Sequence, residues 1–281
     1  MNAVLRWVGR WGRATRWLEG AGANRAWRVA DIGCAFGFGT ARLASTGAWV
    51  VGIEPDRAYV RRAARDHPGI AFVQATATCL PFRDGVVDAV TLLDVLEHVS
   101  VPDNTSTTRR TGGGQGCPRT ESATPPAAAA KAMAAREAAR VLTVGGHAMI
   151  TVPASGPAAW LDSLNRYNAL ARRARGWLPV DATEITPGAA HLHFGDDGLA
   201  SLLRRAGLEV VRSARFGTGV LPELVHLAIL VLTRGVAKSE RAYRRWRFVY
   251  FALHVLDDAV PVPWIGYSLS VLARSVRRTE G

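Results

Sequence analysis

The chain has 281 residues, of which 48% are apolar and 21% charged, and this balance excludes a mainly disordered protein. Among the 35 cationic residues lysine occurs only twice, so the net charge of +12 reflects a composition skewed to arginine, typical of a GC-rich genome, more than a nucleic-acid-binding surface. No stretch approaches the ~20 uncharged apolar residues of a membrane-spanning helix and no apolar block opens the chain, so we expect a cytoplasmic protein.

Apolar runs alternate with helical patterns from residue 27 onward, which is typical of a parallel sheet with helices on both faces. The run at 86–93 is almost wholly apolar, as expected of a central strand. The elements predicted in this half are, in order, strand 27–32, helix 38–45, strand 48–53, helix 55–66 with Pro55 at its first position, and strands 70–74 and 86–93.

The second half begins with a segment of different composition. Residues 102–126 are rich in Ser, Thr, Gly, Pro and Arg, which predicts a disordered surface loop. The elements predicted after it are helix 127–142 ending at Gly145–Gly146, strand 147–152, helix 194–206, strand 208–216, two apolar segments at 220–232 and 246–256 joined by an Arg-rich linker, and a last strand 267–274.

The segment from Val29 to Ala44 combines a strand, a Gly-containing turn and a helix, an arrangement that lets a ligand approach the backbone closely. A dinucleotide site would need Gly at two positions that are occupied by Ala35 and Phe38, which weakens a phosphate-binding interpretation. Asp31, two residues before Gly33, suits a ligand with a cationic amine better than a pyrophosphate.

Glu54 lies 21 positions after Gly33, at the end of the second predicted strand. A carboxylate there can accept both hydroxyls of a ribose. The pattern therefore predicts a site for a nucleoside.

Together with the segments ATATCLPF and LLDVLEHV, this turn and this carboxylate resemble the class I S-adenosylmethionine-dependent methyltransferases, in particular the type-11 group. The resemblance covers roughly residues 27–216 and the last strand. It implies a Rossmann-like α/β fold whose sheet has seven mostly parallel strands, helices on both faces and an antiparallel last strand. It also implies S-adenosylmethionine as the cofactor and in-line methyl transfer to a small-molecule or lipid-like acceptor.

The same resemblance assigns the cofactor contacts. The residues are Asp31, Gly33 and Gly37 at the methionine part, Glu54 at the ribose, Thr76, Ala77 and Leu80 at the adenine, and Asp94 beside the methionine amine. Two positions depart from the usual pattern, because Ala35 replaces the middle Gly of the turn and Thr76 replaces an Asp that bonds the adenine amine. We therefore expect weakened cofactor affinity.

Histidine is the side chain that titrates near neutral pH, so His98, His191 and His193 are candidate general bases, each weighed against an ordinary surface or helix-end role. We favour His98 over His193, because it closely follows the fourth predicted strand. Cys34, Cys79 and Cys117 have no CxxC spacing, so we expect neither a metal site nor a disulfide framework.

We expect a basic, Trp-rich helix within 1–26, a methyltransferase domain over 27–274 with a helical insertion at 220–263, and a tail over 275–281. The N-terminal helix suits either an anionic membrane surface or packing over the cofactor site with a solvated arginine face. The insertion suits a contact with the inner face of a membrane, a cover over a greasy acceptor, an extension of the core or a dimer contact.

Two other functions stay open from the residues alone. One is a non-catalytic module that binds the cofactor or a membrane. The other is RNA methylation, which is disfavoured because no NPPY-like signature follows the fourth strand and LLDVLEH stands there instead. The sequence does not fix the oligomeric state.

Overall fold

A computed structural model describes residues 9–99, 127–174 and 192–276 of the chain. The predicted loop 102–126, His191, Cys117 and most of the predicted tail lie outside these ranges, as do the first eight residues of the N-terminal segment.

The described residues contain a sheet of seven strands in the order β3-β2-β1-β4-β5-β7-β6. The first four strands pair in parallel, and β7 runs antiparallel to its neighbours β5 and β6, which confirms the predicted fold class. The strands are β1 (Arg28–Ile32), β2 (Trp49–Glu54), β3 (Ala71–Gln74), β4 (Val87–Leu93), β5 (Leu142–Pro153), β6 (Leu208–Phe216) and β7 (Ser268–Ser275).

Eight α-helices and three shorter helical segments occur in the described ranges. The short segments are 3₁₀ turns at Leu96–His98 and Pro157–Leu161 and a π-helical stretch at Val231–Val236. The α-helices are α1 (Gly9–Gly20), α2 (Phe38–Ala44), α3 (Arg57–Asp66), α4 (Ala127–Val141), α5 (Ser163–Arg173), α6 (Asp196–Arg205), α7 (Val220–Leu230) and α8 (Glu240–Asp257). None of them is long and apolar enough to cross a membrane.

The order of elements around β1 to β4 follows from the apolar runs of the sequence. Strands β1, β2 and β4 bury most of their residues because the sheet is covered on both sides, whereas β3, at the edge of the sheet, has no fully buried residue. Helix α3 begins later than predicted: Pro55 precedes the helix, and the carboxylate of Asp56 caps it by accepting the backbone N–H groups of Ala58 and Tyr59.

Three further features differ from the prediction. Gly145 and Gly146 lie inside β5 and do not end a helix, since α4 ends at Val141 and the strand begins at the next residue. Helix α5 was not predicted, because its buried face consists of Ser163, Tyr167, Asn168 and Ala171, of which only two are apolar. The predicted Arg-rich linker is partly helical: it begins within the π-helical stretch Val231–Val236 and ends in α8, whose start at Glu240 is capped by Ser239.

Helix α1 does not have a fully solvated arginine face. Arg13 is 1% exposed, and its guanidinium forms an ion pair with Asp258 at 3.0 Å. It also donates to the hydroxyl of Ser270 at 2.8 Å and lies over the ring of Phe216. Arg16 is exposed, so the predicted solvated face holds for that residue and not for Arg13.

The described residues form two compact units. The sheet unit comprises residues 14–99, 127–150, 200–212 and 271–276 and contains β1 to β4. The helical unit comprises residues 9–13, 151–174, 192–199 and 213–270 and contains α5, α7 and α8. All predicted cofactor contacts fall in the sheet unit.

Candidate active site

The turn between β1 and α2 has three backbone positions in the left-handed region. They are Gly33 at φ +74°, Ala35 at φ +46° and Gly37 at φ +79°. A Cβ at residue 33 would come within 2.5 Å of the Val95 side chain, so this position requires glycine. Ala35 adopts the left-handed conformation at some cost in strain, and such strain is often retained at functional sites.

Asp31 fixes the base of this turn. One carboxylate oxygen accepts the hydroxyl of Thr40 at 2.7 Å, and the other accepts the hydroxyl of Thr91 at 2.6 Å. Burial raises the pKa of Asp31, and the two hydroxyls act in the opposite direction. The carboxylate thus joins β1, α2 and β4, while its predicted contact with the methionine part stays a prediction.

Glu54 lies beside the turn with its carboxylate largely buried. Its two oxygens accept the backbone N–H groups of Ala35 at 3.0 Å and Asp56 at 3.1 Å. A carboxylate offers about four acceptor positions, so each oxygen retains capacity for one hydroxyl. Burial raises the pKa of Glu54, and the backbone hydrogen bonds oppose that effect.

The loop that carries Thr76, Ala77 and Leu80 is held by α4. The backbone N–H of Leu80 donates to the Glu137 carboxylate at 2.8 Å, and Arg140 donates to the carbonyl oxygens of Leu80 and Phe82. Leu80 is buried, and the main chain of Thr76 bridges that of Cys79. The predicted adenine-contacting residues therefore form one ordered loop.

The end of β4 brings several ionisable groups together. Asp94 has a left-handed backbone at φ +57°, and the 3₁₀ turn Leu96–His98 follows it. The buried Glu97 carboxylate lies 4.0 Å from Nε2 of His98, whose side chain is 24% exposed. Lys131 on α4 is buried, which lowers its pKa, and the charge of Glu97 partly offsets that effect.

His193 lies in the helical unit, in a different setting from His98. Its Nδ1 is 3.1 Å from the carbonyl oxygen of Ala154, and its Nε2 is 3.1 Å from the Asp162 carboxylate. The hydroxyl of Tyr267 donates to the same carboxylate oxygen at 3.2 Å. Both ring nitrogens of His193 therefore lie within hydrogen-bond distance of acceptor oxygens.

The cysteines behave differently from one another. Cys34 is a buried free thiol beside the turn, and burial raises its pKa, so it packs as a neutral group. Cys79 is disulfide-bonded, although the cysteine spacing predicted no disulfide framework. Among the described residues, no cluster of His, Cys, Asp or Glu could hold a metal ion.

Some residues that shape the site escaped the sequence analysis. They are Thr40, Thr91, Lys131, Glu137 and Arg140. Thr91, Glu137 and Arg140 act through contacts between elements distant in sequence, so no local motif marks them. Lys131 is one of only two lysines in the chain, and this rarity is the one feature of the sequence that sets it apart.

These residues fit S-adenosylmethionine. The turn lacks a Cβ at Gly33 and Gly37, and Glu54 retains acceptor capacity for the two ribose hydroxyls. Glu54 and Asp94 are the acidic groups at the ends of β2 and β4, and a cationic ligand requires such groups.

Comparisons with known proteins support the same assignment. Residues 30–110 match the model of a family described as a methyltransferase domain. The demethylmenaquinone methyltransferase of Beutenbergia cavernae is 34% identical over 191 residues, which cover 65% of this chain and 78% of that protein. An uncharacterized methyltransferase of Mycobacterium leprae is 35% identical over 92 residues, so the chain matches about a third of that protein's length.

Solved structures share the fold. A methyltransferase from Methanosarcina mazei superimposes with a TM-score of 0.54 at 16% identity, covering 93% of this chain and 98% of that one. The [4+2]-cyclase SpnF superimposes with a TM-score of 0.55 at 18% identity, covering 94% of this chain and 80% of that one. A cyclase with this fold shows that the fold alone does not determine the reaction. The family match and the extended identity to a curated relative do determine the family, and this chain belongs to the class I S-adenosylmethionine-dependent methyltransferases.

Proposed function

We propose that this methyltransferase acts on a lipid-like acceptor, which it meets at the inner face of a membrane. The observation that carries the proposal is the apolar exterior of residues 220–265. Many large apolar side chains are more than half exposed there, including Leu221, Leu232, Val236, Phe248, Phe251, Leu256 and Trp264. Exposed apolar surface on this scale marks a site of contact with an apolar partner.

The relative from Beutenbergia cavernae supports this acceptor class. That relative is a demethylmenaquinone methyltransferase, and demethylmenaquinone is a lipid-like quinone. A prenylated aromatic compound of that kind stays in the bilayer, so an enzyme that uses it benefits from contact with the membrane surface. We propose the same class of acceptor for this chain, without a specific compound.

Bound S-adenosylmethionine supplies a methyl group that its sulfonium already activates. In this proposal Glu54 holds the ribose hydroxyls, and Asp31, through Thr40 and Thr91, fixes the turn formed by Gly33 and Gly37. Thr76, Ala77 and Leu80 line the adenine, and Asp94 holds the methionine amine. Positioning of the acceptor atom in line with the methyl carbon and sulfur provides most of the rate enhancement.

An acceptor hydroxyl or acidic carbon also needs a base, and we propose His98 for that role. Its side chain is partly exposed, and its Nε2 lies 4.0 Å from the buried Glu97 carboxylate. His193 is the second candidate, but both of its ring nitrogens already face acceptors. A base of this kind contributes about 10² to 10⁴ in rate.

Mass spectrometry of extracts from cells with and without the gene tests the acceptor class. We expect a pair of compounds in the lipid extract that differ by one methyl group, with the methylated member absent when the gene is missing. Complementation with the Glu54→Ala variant should leave the unmethylated compound in place. A difference confined to the aqueous extract or to RNA would contradict the proposal.

A further inference from the structure

Helix α7 and the π-helical stretch after it bury polar side chains and expose apolar ones, the reverse of an ordinary surface helix. The polar residues Glu223 and His226 are 2% and 4% exposed, and Thr233 and Arg234 are also buried. The opposite side carries only apolar residues at helical spacing. These are Leu221, Leu224, Ala228, Leu232 and Val236, all of which are exposed and which we call the α7 stripe.

The buried polar side of α7 is well satisfied, so the inversion is stable. The Glu223 carboxylate accepts the backbone N–H of Ser163 at 2.8 Å and the hydroxyl of Tyr250 at 3.4 Å. The His226 ring lies between the hydroxyls of Ser163 at 2.8 Å and Tyr243 at 3.2 Å. These bonds fix which side of α7 faces inward, and therefore which side faces outward.

A second apolar feature lies in the turn before β7. Trp264 is 86% exposed and has a left-handed backbone at φ +77°, and the exposed Ile265 follows it. The turn is held in place, because Val262 donates its N–H to the Arg215 carbonyl at 3.0 Å and Gly217 donates to that of Val260 at 2.8 Å. An ordered backbone thus presents a bulky indole to the surroundings, and Trp is enriched at membrane interfaces.

Helix α8 adds a cationic and aromatic face. Between residues 241 and 256 it contains no acidic residue. The exposed side chains in its first half are Glu240, which pairs with the buried Arg234, followed by Arg241, Arg244, Arg245, Trp246, Arg247 and Phe248. Arginine beside exposed aromatic groups is complementary to anionic headgroups above an apolar layer.

We infer that the α7 stripe, the Trp264 turn and the exposed face of α8 form a docking surface for an anionic lipid bilayer. The surface binds in the plane of the interface, because none of the described helices is long and apolar enough to span a membrane. A second copy of the chain is a poorer occupant, since a symmetric contact would bring the arginines of α8 together. The use of this surface to reach the acceptor rests on the proposed function, whereas binding to lipid does not.

Sedimentation of the full chain with synthetic vesicles tests the inference. The probes are vesicles of phosphatidylcholine alone and of phosphatidylcholine mixed with phosphatidylglycerol, neither of which contains an acceptor. We expect the protein to pellet with the mixed vesicles, to pellet far less with the neutral ones, and to be released by salt.

Matched variants locate the surface. Leu232→Ser combined with Trp264→Ser should lower vesicle affinity by about tenfold or more, and Arg244→Gln with Arg245→Gln should lower it by a similar factor and weaken the salt dependence. The controls are Trp49→Ser and Arg61→Gln with Arg65→Gln, which are exposed residues of the sheet unit. Unchanged affinity for S-adenosylhomocysteine in every variant would verify folding.

Two results would overturn the inference. One is equal recovery of the wild type in the supernatant with and without mixed vesicles at low salt, including the case in which the surface variants instead dissociate a dimer. The other is an equal loss of vesicle binding in the controls. Vesicle binding without any lipid methylation would refute the proposed acceptor class and leave the docking surface intact.

Discussion

Helices α3 and α7 are of similar length, yet they distribute polar and apolar residues in opposite ways. Helix α3, in the sheet unit, buries Ala63 and leaves its charged residues in water, where Arg62 and Asp66 form an exposed ion pair. Helix α7 buries Glu223 and His226 and exposes leucines. One chain thus contains a helix with a charged exterior suited to water and a helix with an apolar exterior suited to an apolar environment.

The buried charged groups of the sheet unit and the helical unit also differ in how they are satisfied. In the sheet unit, Asp31 is satisfied by neutral hydroxyls and Glu54 by backbone N–H groups, which leaves Glu54 able to accept further hydrogen bonds. In the helical unit, the Arg13 guanidinium is committed to Asp258 and Ser270. The sheet unit therefore keeps polar capacity for a ligand, whereas the helical unit uses its polar groups for internal structure.

The largest effect is expected at Arg13. Arg13→Ala should lower the free energy of unfolding by about 3–5 kcal/mol, because it leaves the buried Asp258 without its cation. Arg16→Ala, on the exposed side of the same helix, should change it by less than about 0.5 kcal/mol. Denaturant unfolding measures both, and similar costs for the two variants would remove the distinction between buried and exposed charge in α1.

The next largest effect is expected on ligand binding by the Glu54 carboxylate in the sheet unit. Glu54→Ala should weaken binding of S-adenosylhomocysteine by about 1–3 kcal/mol, because the ribose hydroxyls lose their acceptor. Calorimetry measures the affinity, and Glu209→Ala, at an exposed position of β6, is the control. Equal affinities in the wild type and Glu54→Ala would show that this carboxylate does not hold the ribose.

A pH dependence follows from the raised pKa of Glu54. Its carboxyl binds a proton more tightly in the folded protein, so its contribution to stability is present below the ordinary pKa of 4.5 and is lost as the pH rises through the folded pKa. Ligand binding needs the ionised form, so affinity should fall on acidification at a pH above 4.5. Calorimetry at a series of decreasing pH values should show this fall in the wild type and not in Glu54→Gln.

The smallest effect sharpens the contrast between α3 and α7. Leu221→Ser should change the free energy of unfolding by less than about 0.5 kcal/mol in lipid-free buffer, because this leucine is exposed. Arg62→Ala in α3 should have an effect of similar size, since surface ion pairs contribute little. A cost of several kcal/mol for Leu221→Ser would mean that the leucine is buried in solution, as in a dimer.

Much of the sheet was predictable, and the reasons are local. Strands β1 to β4 lie within two residues of their predicted bounds. Strands β1, β2 and β4 are continuous apolar runs because they are buried on both faces, and β3 is a short strand at the edge of the sheet. The position of Glu54 at the end of β2 follows from the same pattern. Its hydrogen bond to Ala35 could not be read from the sequence, because it joins two loops.

The helical unit was harder to predict because its buried faces are polar. Helix α5 buries Ser163 and Asn168, so it has no clear apolar stripe. Arg13 is one of several arginines at helical spacing in the N-terminal segment, and nothing local distinguishes it from the exposed Arg16. Its burial depends on Asp258, which lies 245 positions away in the chain.

The most direct test of the account is transfer of a labelled methyl group from S-adenosylmethionine in a cell extract that lacks the endogenous enzyme. The extract is separated into organic and aqueous phases after incubation with the full chain. We expect label in the organic phase, its loss in Glu54→Ala, and a slower rate with unchanged cofactor affinity in His98→Ala. Label that appears only in the aqueous phase, or that reaches the organic phase equally with Glu54→Ala, would contradict it.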